Sequence, residues 1–145
     1  MKPTAKMVVD LALAEVGYLE KKTPDLRYLY DKTANAGSNN YTKYAYELDN
    51  VPGFYNGKKN GYAWCDTWFD NMVYHACGDN ADDARSLLCQ PKNSLGAGVY
   101  YSYQYYKAAG RISKNPSVGD QIFFGKTIGT MQHTGLVYKV DSTTV

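Results

Sequence analysis

Apolar positions recur with helical spacing through the first two thirds of the chain and with strand-like spacing near its end. Met7, Val8, Leu11, Ala12 and Val16 make one apolar stripe, with Thr4 as a cap and Gly17 as the stop, which predicts a first helix over 4–16. Shorter helical stretches are expected over 25–32, with Leu26, Leu29 and Tyr30 inward, and over 41–47. Residues 34–40 and 49–61 are loops by composition, the second holding Pro52, Gly53, Gly57 and Gly61. Trp64, Trp68, Phe69, Met72 and Val73 then recur at helix spacing, predicting a buried helix from about Cys65 that ends near Gly78. Further helices are expected over 81–88 and 100–109, the latter stopped by Gly110. Two strands close the chain, over 118–124 and 132–140, joined by a hairpin connection over 126–131. Helices first and strands last is an α+β order.

Composition narrows the classes. The 145 residues fit one domain, and 44% apolar with 21% charged residues fits a folded globular chain. A net charge of +2 gives no argument for nucleic acid. Tyrosine is abundant, at 15 residues; its flat face and polar tip suit sugars or extended peptides, and equally suit ordinary packing. Cys65, Cys77 and Cys89 allow one bridge and one free thiol, and no CxxC pair suggests a structural zinc site. The acidic run 79–83 lacks the ligand pattern of a calcium loop and reads better as a capped helix start. Asp10 and Glu15 interrupt what a secretion signal would need, and no segment is apolar enough to span a membrane.

The chemistry lies in Cys65 and His133. Cys65 falls at the first turn of its helix, where unpaired N–H groups favour an anion, so its thiol is expected below the usual pKa. An inert core thiol is the plainer reading of that stretch alone. His133 opens the second strand, so a thiol–imidazole pair formed across the fold is plausible. Such a pair performs covalent acyl transfer, with the Cys65 backbone N–H as first oxyanion donor and no second donor assigned. His75 lies ten residues along the same helix from Cys65, about 15 Å away, and is expected to serve packing or solvation. A third, orienting group is not evident. Asp141 is about 26 Å from His133 if both share one strand, and Asp120 is either near the site or capping a turn.

The segments 39–44, 62–66, 119–124 and 133–138, with the pieces Trp64-Cys65 and Gly119-Asp120 through Phe124 followed by His133-Thr134-Gly135, resemble the CHAP family. These are cysteine- and histidine-dependent amidohydrolases and peptidases of the papain-like, NlpC-like group. Segments 87–91 and 94–98 resemble its prophage endolysin subgroup. The resemblance covers nearly all of 1–145 as a single catalytic domain. It implies a papain-like α+β fold, with N-terminal helices packed on a small antiparallel sheet. It also implies hydrolysis of bacterial peptidoglycan, either as an N-acetylmuramoyl-L-alanine amidase or as an endopeptidase. Cys65 carries over as nucleophile and His133 as base, with Tyr62, Trp64 and Tyr44 as substrate-contacting side chains. No metal or other cofactor is expected. Such lysins are made in the cytoplasm without a signal peptide and reach the wall through a phage pore. In the family, a further strand after the histidine supplies the third catalytic group, and this sequence stops about where that strand would begin. The expectations that follow are missing C-terminal strands, an unpaired sheet edge open to self-association, and reduced activity. The alternative is a weak or inactive wall-binding module of the same fold.

Overall fold

The computed structural model describes residues 2–125, 127 and 131–141. Among them six helices precede two strands: α1 (Ala5–Ala14), α2 (Leu26–Leu29), α3 (Lys43–Asp49), α4 (Cys65–Ala76), α5 (Ala81–Leu88), α6 (Val99–Ala108), β1 (Gln121–Phe124) and β2 (His133–Leu136). The strands pair antiparallel, with Gln121 opposite Leu136 and Phe124 opposite His133. The α+β order expected from the sequence is therefore present.

Side-chain caps set four of the helix starts, and at α2 the Asp25 Oδ1 accepts from the Arg27 N–H at 2.9 Å. Thr4 Oγ1 accepts from the Met7 N–H, Thr42 Oγ1 from Ala45 and Asn80 Oδ1 from Asp83, at 3.2, 3.2 and 3.0 Å. α5 occupies its predicted span. α1 is shorter than predicted and stops at Ala14, so Val16 leaves the apolar face and is 71% exposed; Val8, Val9 and Ala12 are the buried positions. α2 is one turn, with Leu29 buried. Leu26 and Tyr30, expected inward, are exposed, and the Tyr30 hydroxyl donates instead to Glu47 Oε2 at 2.8 Å. The strands are also shorter than expected. Asp120 is part of a turn, its Oδ2 accepting from the Ser117 N–H at 2.8 Å. Of the predicted hairpin connection, residues 126 and 128–130 lie outside the described residues, as do 142–145.

α4 is the hub, packing against α1, α3, α5, α6 and β2. Its Phe69, Met72, Val73 and Ala76 meet Val8, Tyr44, Leu48, Phe54 and Leu88 in one core. Each large apolar side chain buried there stabilises the fold by about 1.5–3 kcal/mol. The loop that feeds α4 is pinned along its length. The Asp49 carboxylate accepts from the Lys59 and Asn60 N–H groups at 2.7 and 3.0 Å, and Asn60 Oδ1 accepts from the Thr42 N–H at 3.0 Å. Gly61 has φ +96°, and a Cβ there would sit 3.1 Å from the Tyr41 ring, so this turn needs glycine. Cys65, Cys77 and Cys89 are all free thiols. No helix among the described residues is long and apolar enough to cross a membrane.

Candidate active site

The pinned loop delivers Trp64 as the N-cap of α4 and Cys65 as its first residue. Trp64 lies against Tyr44 of α3, the rings stacked with centroids 5.8 Å apart at 20°. Across from them, pairing with β1 fixes β2, and His133 is its first residue. The His133 ring stacks on Phe124, its cross-strand partner, at 5.8 Å and 24°. Cys65, His133, Trp64 and Tyr44 all line one cavity of about 680 Å³, whose other walls come from the end of α1, Trp68 and the rest of β2. The structure thus gathers four of the five site residues predicted from sequence. Tyr62 stands on the loop before α4, 69% exposed and outside the cavity lining.

The expected lowering of the Cys65 pKa is not found. Burial pushes the thiol up, and the negative charge of neighbouring Asp66 pushes the same way. Hydrogen bonds from the N–H groups of Thr134, Asp66 and Cys65 itself favour the thiolate but do not overcome burial. The N–H groups at the helix start therefore favour the thiolate as predicted, and desolvation by burial outweighs them.

Outside the cavity lining, α4 carries a polar cluster that its sequence did not announce. Asp66 and Asp70, one turn apart on α4, are both fully buried. Asp66 Oδ2 accepts from Ser102 Oγ at 2.7 Å and Oδ1 from Gln121 Nε2 at 2.8 Å. Asp70 accepts from the Tyr55 hydroxyl at 2.6 Å and from Gln90 Nε2 at 3.2 Å. Burial lifts Asp66 to about 6, the hydrogen bonds offsetting part of the effect. Asp70 lies well above the carboxylate range, because burial and the Asp66 charge both favour its neutral form. The available signal was two acids at i and i+4 on a helix whose Phe69, Met72, Val73 and Ala76 are buried in the core.

At the far end of α4, His75 packs edge-on against the Tyr74 ring, as expected of a packing role, and also meets two carboxylates. Its Nε2 meets Glu47 Oε1 at 2.8 Å and its Nδ1 meets Asp79 Oδ1 at 2.6 Å. The Glu47 hydrogen bond, opposed by burial and aided by Asp79, raises His75 to about 9. Burial alone would raise Glu47, but bonds from His75, Asn71 and Tyr30 hold it at about 2. Among the described residues no group of three or more His, Cys, Asp or Glu side chains is placed to hold a metal ion.

Compared with known proteins, the chain matches no family model, no curated protein and no solved structure.

Proposed function

We propose that the chain is a cysteine-dependent peptidoglycan hydrolase of the CHAP type, cutting either the amide to L-alanine or a bond of the stem peptide. One observation carries this reading: the only two residues singled out as nucleophile and base, 68 positions apart in sequence, line the same aromatic-walled cavity. The neutral thiol that burial favours defines how the reaction would run. As Cys65 Sγ bonds to the substrate carbonyl carbon, its proton passes to His133. The carbonyl oxygen becomes an oxyanion near the N-terminus of α4. Collapse breaks the C–N bond, and His133 returns the proton to the leaving amine. Water then attacks the thioester with His133 as base, releasing the carboxylate and restoring the thiol. Trp64 and Tyr44 would offer flat faces to the glycan or peptide.

The test is mass analysis of new ends released from purified peptidoglycan. The unsubstituted chain is expected to release amine and carboxyl ends, and Cys65→Ala and His133→Ala to lose about a thousandfold or more of that rate. The raised thiol pKa favours a second reading, a wall-binding module that does not cut. Retained binding to sacculi with no release from any form of the chain would select it.

A further inference from the structure

We propose that Gln121 is a positioning residue, a single amide that holds Cys65 and His133 in register by clamping the residue that follows each of them. This deepens the reading of Cys65 and His133 as the working pair and rests on it. The residue after Cys65 is Asp66, and the residue after His133 is Thr134. Gln121 Nε2 donates to Asp66 Oδ1 at 2.8 Å and to Thr134 Oγ1 at 3.0 Å. Both of its amide hydrogens are thus used, one on α4 and one on β2. Its Oε1 accepts from the Tyr106 hydroxyl of α6 at 2.9 Å. The Thr134 hydroxyl in turn donates to the Ile122 carbonyl of β1 at 2.8 Å. Four elements therefore meet at one side chain.

The clamp has the properties of a positioning device. Asp66 and Thr134 are buried, so these bonds are poorly challenged by water. Neither Asp66 nor Gln121 lines the cavity, so neither is placed to touch a substrate there. The backbone N–H of Thr134 hydrogen-bonds to the Cys65 thiol and favours its ionised form. Holding Thr134 by its hydroxyl keeps that N–H on the sulfur. Glutamate could not replace Gln121, since an ionised carboxylate has no donor for Asp66 or Thr134 and would add charge beside Asp66. An apolar residue would leave Asp66 Oδ1 and the Tyr106 hydroxyl without this partner.

The experiment follows alkylation of Cys65 by iodoacetamide across pH 6–10, read at that residue by peptide mass, with thermal melting recorded in parallel. Thr134→Val keeps the side-chain shape and removes the hydroxyl. Gln121→Met keeps the length and removes the amide, and it decides the matter if Thr134→Val does not fold. Both are expected to move the alkylation midpoint upward, slowing the reaction at pH 7 about tenfold, the equivalent of one pKa unit. Thr134→Ser restores the hydroxyl and should return the rate to within about twofold of the unsubstituted chain. An unchanged pH profile in folded variants, with only a lower melting temperature, would overturn the proposal and leave the network a purely structural one. Alkylation needs no peptidoglycan. A shifted profile with no wall release from any variant would sink the hydrolase reading while leaving the clamp in place.

Discussion

At the N-terminal end of α4, Asp66 and Asp70 lie fully buried among neutral donors, whereas at its C-terminal end His75 lies between Glu47 and Asp79. The same helix raises acids at one end and separates an acid and a base at the other. The difference is in the partners. Hydroxyls and amides can satisfy a carboxylate's lone pairs, but they bring no opposite charge, so desolvation wins and Asp66 rises to about 6. At the other end each charged group meets its opposite, so His75 rises to about 9 while Glu47 falls to about 2. A protonated histidine in the last turn also suits the helix dipole. The end that carries Cys65 is kept sparing in opposite charges, and the far end is rich in them.

Removing a carboxylate from the buried end should have the largest effect. Asp70→Ala leaves the Tyr55 hydroxyl and the Gln90 amide without their acceptor in the core. It is expected to cost about 3 kcal/mol in urea denaturation. Asp70→Asn mimics the neutral acid and should cost less than about 1 kcal/mol; equal losses for the two would mean that the charge itself matters.

The charged end should respond to pH instead. His75 has a folded pKa above its unfolded 6.5, so its contribution is full below that value and is lost as pH rises through about 9. Glu47 has a folded value below its unfolded 4.5, so its contribution is full above 4.5 and is lost as pH falls through about 2. Glu47→Gln should therefore destabilise the chain by about 1–2 kcal/mol at pH 6, after allowance for partial exposure. The gap to the unsubstituted chain should close as pH passes 9. A gap constant from pH 6 to 10 would contradict the ion-pair account.

The smallest effect tests whether the two kinds of chemistry stay separate. Asp66→Asn removes the charge that raises the Cys65 thiol but keeps an oxygen for Gln121. Alkylation of Cys65 at pH 7 should quicken about two- to fivefold. Slower alkylation would show that the carboxylate's geometry outweighs its charge.

Helix existence was legible wherever the signal was local. The span of α5 follows from the Asn80 cap and the apolar positions behind it, and the placement of Cys65 at a helix start follows from the Asn-Gly turn and the stripe of aromatics. Strand limits were less legible, because Val118 and Asp120 look strand-like until the Ser117 turn claims them. The site was legible as residue types but not as environment. The Cys65 pKa depends on Thr134, and the Asp66 pKa on Ser102 and Gln121, partners 36 to 69 residues away. Similarly, no periodicity announces that His75 will find Glu47 on another helix.

α4 touches five other elements, and this bears on the order in which the chain comes apart. A helix enclosed on so many sides cannot open alone, so the amides of 69–76 should exchange with solvent only when the whole chain unfolds. α2, one turn long with a single buried residue, should exchange long before. A cysteine at the start of such a helix is mounted on the last part of the molecule to loosen, and local breathing of the surface would leave it in place.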